Sequence, residues 1–473
     1  MADILLTHSN HLYSDRKQVL KMQPYPPLQT LMAAAVLREQ GYSVGLFDTT
    51  LVGSVEEEFR AAIAGQRPKL VAVIEDNFNF LTKMCLTRNR ELAFRMCRAA
   101  SDAGVPAIVN GSDPSDRAEA YLHAGFEAVL TGEVEQTLAE AARVFVDGRD
   151  SREAIGGLAY MEDGMVRRTG YRKPIENLDT LPDAAWDLMD LEPYRAAWRG
   201  AHRYFSMNLV SSRGCPYRCN WCAKPVFGSD YRFRSPRRVA AEMLKLKRDY
   251  RADHIWFADD IFALSPSWTR GFAEAVDAMG AAIPFKMQSR CDLMTRDTVG
   301  ALRRAGCEEV WMGAESGSQK ILDVMEKGTR VEQIYEAREN LRRHGIRACF
   351  FLQFGYPGET LHDIERTIQM VRDTAPDDIG VSVSYPLPGT KFYERVSAEL
   401  GARENWSESG DLAMMFRGAY SSEFYRELAE ALHQEVRGGA PDWERVFDLA
   451  KSSESAMRMR PTEGTAVLWP CAR

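Results

Sequence analysis

Short apolar runs alternate along this chain with longer stretches in which apolar residues recur every three or four positions, and the alternation occurs in two separate series. An apolar run bounded by turn formers reads as a strand covered on both faces, and a helical recurrence reads as the helix that covers it. The first series predicts strands over 2–7, 42–48, 70–74, 107–109 and 128–130. Helices are predicted between them over 27–40, 55–64, 81–103, 116–124 and 135–147. Pro27 suits the start of the first helix and Gly41 its end. Alternating strands and helices predict a parallel, doubly wound, Rossmann-like sheet, in which ligands bind beyond the carboxyl ends of the strands.

Residues 149–204 break the rhythm, with a small hairpin around Gly156–Val166 and an extended stretch packed down by Trp186 and Tyr194. They read as a linker. The second series predicts strands over 206–211, 254–258, 285–289, 309–313, 348–354 and 380–384, with helices over 236–249, 298–305, 331–345 and 361–373 among those between them. Six β/α units predict a partial (β/α)6 barrel whose active face lies at the strand carboxyl ends. The alternation stops near 399; a helix over 421–437 follows, and Met414, Met415, Phe416 and Tyr425 suit either core or a lid over the barrel mouth. The expected organisation is therefore α/β: 1–148 doubly wound, 149–204 linker, 205–398 partial barrel and 399–473 a helical extension, its final stretch around Trp469 frayed.

Composition narrows the function. With 45% hydrophobic and 27% charged residues, the 473-residue chain is globular, which excludes a disordered tail, a collagen or a coiled-coil rod. The net charge of −7, without a basic cluster, gives no nucleic-acid surface. The early apolar run over 31–37 is far shorter than the ~20 residues a membrane span needs, and the start lacks a basic leader, so the expectation is a cytoplasmic protein without a membrane span. Nine cysteines are too few and odd for a disulfide framework, yet three of them crowd one stretch.

That stretch is Cys215-Pro-Tyr-Arg-Cys219-Asn-Trp-Cys222, directly after the first strand of the second series. Three thiolates on one loop can hold three irons of a [4Fe–4S] cube and leave the fourth without a protein ligand. Structural zinc would call for four closed ligands. The motif and its place resemble the radical S-adenosylmethionine superfamily. The resemblance implies that the amino and carboxylate groups of S-adenosylmethionine chelate the open iron, and that the reduced cluster cleaves the sulfonium to a 5′-deoxyadenosyl radical. Later segments are similar to that family in order. Asp259 and Asp260 would meet the methionine ammonium, although a helix N-cap would also explain Asp260. Arg290 would pair with the carboxylate, or form an ordinary salt bridge. Glu315 and Ser316 would bond the ribose hydroxyls or the carboxylate, and Gly355 and Gly358 would admit the adenine, unless that loop is a plain turn with Thr360 capping a helix.

A doubly wound layer before such a barrel resembles the cobalamin-binding subclass. The resemblance rests on Pro26-Pro27-Leu28, on Asn110-Gly111-Ser112 after the fourth strand, and on Thr131-Gly132-Glu133 after the fifth. Small residues there would let a corrin approach, and Thr131 and Glu133 would bond its amides; an ordinary turn with acids near a helix N-terminus is the alternative. The Asp-x-His-x-x-Gly of classical cobalamin domains is absent, because Thr7-His8-Ser9-Asn10-His11 lacks that spacing. His8, His11, Asn77 and Asn79 remain candidates for the lower cobalt ligand. The resemblance implies a [4Fe–4S] cluster, S-adenosylmethionine and cobalamin, a reductant such as flavodoxin or ferredoxin, and methylation of an unactivated carbon of a small-molecule substrate. A non-methylating cobalamin enzyme (an oxidative cyclase or a ring rearrangement) and a cobalamin or Fe–S sensor stay open. A methylthiotransferase would need a third N-terminal cysteine beyond Cys85 and Cys97.

Overall fold

The structure is a computed structural model describing residues 1–223, 226–401 and 404–458. Seven strands form the first sheet: β1 (Ile4–Thr7), β2 (Val44–Leu46), β3 (Leu70–Ile74), β4 (Ala107–Asn110), β5 (Ala128–Leu130), β6 (Leu158–Glu162) and β7 (Met165–Arg168). Their order is β2-β1-β3-β4-β5-β6-β7, and the first five are parallel. β3 is wholly buried because helices cover both faces: Val71 and Val73 pack with Phe59 and Met96, Ala72 and Ile74 with Leu37 and Leu138. The order β2-β1-β3 places the topological switch point between β1 and β3, where doubly wound sheets open a ligand crevice.

Several elements depart from the sequence expectation. The hairpin β6–β7, expected within the linker, pairs antiparallel onto β5 and extends the first sheet. The helix expected over 81–103 is two, Phe80–Lys83 and Thr87–Asp102, because Cys85 takes a left-handed turn (φ 53°) between them. The helix expected over 116–124 likewise begins earlier and is broken at Arg117. The linker carries an unforeseen helix, Glu192–His202, whose Trp198 donates Nε1–H to the Pro24 carbonyl at 2.6 Å.

The second series begins with β8 (Ser206–Leu209). It continues through a two-stranded antiparallel ribbon of β9 (Ser212–Arg213) and β10 (Arg232–Phe233). β11 (His254–Phe257), β12 (Phe285–Ser289), β13 (Cys307–Glu315), β14 (Arg347–Phe354) and β15 (Asp378–Val383) complete a six-stranded parallel sheet in the order β15-β14-β13-β12-β11-β8. Its helices start where the chain supplies caps: Ser235 before Pro236, Ser265 before Pro266, and a Thr360–Asp363 capping box. After β15 come the helices Lys391–Val396, Ser422–Val436 and Trp443–Arg458, of which the sequence predicted only the second. The expected frayed end, from 459 on, lies outside the described residues. Among the described residues no helix is long and apolar enough to cross a membrane.

Candidate cofactor site between the two sheets

The three-cysteine loop hangs between β9 and β10, with Cys215, Cys219 and Cys222 half-buried. Gly214 is the loop's hinge: at φ 78°, a Cβ there would lie 2.4 Å from the Asp230 carbonyl oxygen, so no side chain fits. Asn220, between two of the cysteines, staples the loop down. Its Nδ2 donates to the Val324 carbonyl at 2.7 Å and its Oδ1 accepts from the Tyr356 hydroxyl at 2.8 Å. Among the described residues no three Cys, His or carboxylate side chains stand gathered at metal-binding distance. The surroundings nevertheless fit a thiolate-held, net-negative cluster. Arg290 stacks 3.6 Å from the Tyr217 ring centroid with Nη1 3.9 Å from Cys219 Sγ. Lys327 is buried; burial lowers its pKa, but the Glu315 carboxylate at 2.7 Å and the neighbouring Cys219 more than reverse this and keep it a cation.

The expected S-adenosylmethionine residues surround this loop but hold different posts. Asp259 is fully buried and spent: it accepts from Ser211 N at 3.1 Å, from Ser211 Oγ at 2.7 Å and from Ser212 Oγ. Burial lifts its pKa to about 6 against those bonds. Its acceptors shape the corner from β8 into the cysteine loop. Asp260 instead stays partly accessible and pairs with Lys83. Arg290 is an internal strut as well as a cluster neighbour, bound to Asp292 at 2.9 Å and to the Lys327 carbonyl at 2.8 Å. Glu315 stands at φ 61°, at a bulge that turns its carboxylate onto Lys327. The Ser316 hydroxyl is shared with Thr367 at 3.1 Å and is fully buried.

Gly355 and Gly358 both take left-handed backbone conformations. The sequence reading missed Glu359 between them and the next helix. It accepts from Gly355 N at 2.6 Å, and burial pushes its pKa up to about 8. The C-terminal extension lies on this loop: a Cβ on Gly355 would meet Met414 Sδ at 3.0 Å and Tyr425 Cζ at 3.2 Å.

On the first sheet, Asn110 is fully buried. It donates to the Leu130 and Gly132 carbonyls at 2.8 and 3.2 Å and accepts from Asn77 at 3.0 Å, so it ties the β4 and β5 exits together rather than offering its amide to a ligand. Gly111 abuts Glu75, whose Cγ a Cβ would approach to 2.8 Å, and Ser112 is fully buried. Thr131 and Gly132 are half-exposed. Glu133 is bound by Arg213 at 3.3 Å, Arg232 at 2.5 Å and the Ile175 amide at 2.9 Å, so its charge is already matched within the chain. The imidazole of His8 is also committed. Nδ1 accepts from Asn10 N at 3.2 Å, so Nε2 carries the proton donated to Asp48 at 2.9 Å, and Asp48 accepts from Tyr194 at 2.7 Å. His11 Nε2 meets the Val52 carbonyl at 3.1 Å, and Asn79 caps its own helix.

What the switch point does present is a set of buried oxygens without partners: Thr7 Oγ1, Glu75 Oε2 and Thr82 Oγ1. Buried polar atoms are satisfied in nearly all proteins, so such a set fits a polar ligand bearing amide groups. Glu75 and Asp76 follow a wholly apolar strand, and that abrupt switch was the available sequence signal. Asp76, pushed by burial to about 6, accepts from Gln29 N at 3.2 Å and so caps a helix whose own N-cap residue, Pro27, has no side-chain bond.

The carboxyl ends of the two sheets meet. Arg213, at the start of the cysteine loop, reaches Glu135 at 2.5 Å and Glu133 at 3.3 Å beyond β5. Its guanidinium lies 5.6 and 5.3 Å from the Phe78 and Phe227 rings, which stack on each other at 4.9 Å. Lys83, beyond β3, reaches Asp260, beyond β11. The extension closes the margin, with Asn405 accepting from Arg90 at 2.7 Å and the Trp406 carbonyl from Thr87 N at 2.9 Å.

Residues 209–371 match the Radical SAM superfamily, so the chain carries a radical SAM domain. Members of that superfamily use a [4Fe–4S] cluster and S-adenosylmethionine. Two curated relatives match longer stretches of the chain. An uncharacterized methyltransferase of Pyrococcus horikoshii is 29% identical over 316 residues, covering 63% of this chain and 68% of its own length. The anaerobic magnesium-protoporphyrin IX monomethyl ester cyclase of Rubrivivax gelatinosus is 25% identical over 79% of this chain and 66% of its own length. This chain thus spans about two thirds of those relatives. Among solved structures, the radical S-adenosylmethionine methyltransferase TsrM from Kitasatospora setae, with cobalamin and a [4Fe–4S] cluster bound, superposes with a TM-score of 0.68 at 20% identity. The match covers 84% of this chain and 75% of TsrM, and at that identity it establishes a shared fold.

Proposed function

We propose that this chain is a cobalamin-dependent radical SAM enzyme that methylates an unactivated carbon of a small molecule. The observation that carries the reading is the abutment of the two sheets at their carboxyl ends, with Arg213 joining the cysteine loop to the β5 exit. Ligands of both sheet types bind at those ends, so the two cofactor sites would share one chamber. The cluster and the corrin, when bound, supply reductive cleavage of S-adenosylmethionine and methyl transfer. Cys215, Cys219 and Cys222 would hold the cluster, with Arg290 and Lys327 balancing its charge. Asp260 would receive the methionine ammonium, while the turn carrying Gly355 and Gly358 would admit the adenine. The switch-point oxygens of Thr7, Glu75 and Thr82 would bond corrin amides, between the half-exposed Thr131–Gly132 turn and the Gly111 exit. The extension from 399 keeps water from the chamber. The doubly wound layer over 1–148 and the barrel over 205–398 act in this reading as two halves of one site, in a cytoplasmic enzyme reduced by a flavodoxin or ferredoxin and without a nucleic-acid partner.

The methyltransferase name of the Pyrococcus relative favours methylation, and the cyclase name of the Rubrivivax relative supports the non-methylating alternative. The deciding experiment is anaerobic incubation of reconstituted enzyme, hydroxocobalamin and a reductant with methyl-labelled S-adenosylmethionine and a metabolite pool. Label in a carbon-bound product is expected. Release of 5′-deoxyadenosine with no transfer of label would favour the cyclase reading, and failure of gel-filtered protein to retain a corrin spectrum would overturn both.

A further inference from the structure

At the β11 exit Asp259 is bound by Ser211 and Ser212, whereas Asp260 reaches across to the other sheet. Its partner in the structure is Lys83, a primary ammonium from the other sheet. Both side chains are about one-fifth exposed. A lysine Nζ and the α-amino group of methionine are the same chemical group, and Asp260 is one carboxylate with a single negative charge. Two ammonium groups on it would repel each other, so each weakens the other's hold on it. Lys83 also ends a four-residue helix capped by Asn79 and followed by the left-handed Cys85, on the segment that leads from β3 through Asn77 and Phe78.

We propose that Lys83 occupies the ammonium seat of S-adenosylmethionine in the ligand-free protein and is displaced by it, so that filling the barrel site releases the turn beyond β3 on the corrin side. The contact is an internal competitor and a mechanical link between the two sites. It rests on the reading that Asp260 receives the methionine ammonium, and the test separates the two ideas.

S-adenosylmethionine affinity is measured by equilibrium dialysis on full-length, anaerobically reconstituted wild type, Lys83→Met, Lys83→Gln and Asp260→Asn. Removing the competitor should tighten binding about fivefold in both Lys83 variants, the upper range for a partly exposed ion pair. Asp260→Asn should weaken it. In wild type, S-adenosylmethionine should also raise amide hydrogen exchange over residues 80–86, and in Lys83→Met that segment should exchange faster before the ligand is added. Unchanged or weaker binding in both Lys83 variants, with weaker binding in Asp260→Asn, overturns the competition and leaves Asp260 in its role. Unchanged binding in Asp260→Asn overturns the role of Asp260 and the inference with it.

Discussion

Replacing Arg213 with Met should destabilise the protein by about 4 kcal/mol, and the size of the loss should depend on pH. Arg213 is 1% exposed and serves Glu135 and Glu133 at 2.5 and 3.3 Å. Removing one partner of a buried ion pair typically costs about 3–5 kcal/mol, because the remaining charge is left desolvated. The lost stacking on Phe78 and Phe227 adds up to ~1 kcal/mol, offset in part by the apolar Met stem. For Glu135, burial pulls the carboxyl pKa up and Arg213 more than reverses it, so its folded-state pKa lies below the usual value. A depressed carboxylate contributes stability above its unfolded pKa of about 4.3 and loses it as pH falls through the folded value. In Arg213→Met only burial remains, the pKa rises, and the sign reverses: the variant loses stability as pH climbs. The gap between variant and wild type should therefore widen from pH 5 to pH 8. Urea unfolding followed by tryptophan fluorescence reads this out, and a 4 kcal/mol loss moves the midpoint by ~1 M or more at an m-value of about 3 kcal/mol/M. A gap below ~1 kcal/mol, or one that does not change with pH, would refute the view that this pair holds the two sheets together.

Cys219→Ala should abolish both the charge-transfer absorbance of the reconstituted cluster and all 5′-deoxyadenosine formation; survival of either removes that cysteine from the ligand set. Glu359 is a raised carboxyl, at about 8 against a usual 4.5, so its contribution is complete in acid and declines as pH rises through about 8. Wild type should accordingly lose thermal stability between pH 6 and pH 9, and Glu359→Gln, which keeps an acceptor for the Gly355 amide, should lose less; parallel profiles for the two proteins count against a buried neutral carboxyl there.

The apolar runs by themselves determined both parallel sheets. β3 and β5 are buried on both faces, so hydrophobicity leaves a plain local signal, and 70–74 and 128–130 coincide with them; 285–289 coincides with β12, where buried and half-buried residues alternate. The cysteine spacing was equally legible, because three ligands on one loop are a local fact. The break at Cys85 was not, since nothing in the residues around it interrupts a helical pattern as a Pro or Gly would. Helix Trp443–Arg458 escaped for a related reason: its packing against Ser422–Val436 is what defines it. Tertiary structure alone decided which acids are available. Asp259 and Asp260 are neighbours of the same type, yet a serine pair at the end of another strand consumes the first and a lysine from the other sheet meets the second. Glu133 meets Arg213 and Arg232, about eighty and a hundred residues away. Periodicity reports which face of an element is covered. It carries no information on which distant charge arrives there, and that arrival determines whether a carboxylate is spent or free to bind.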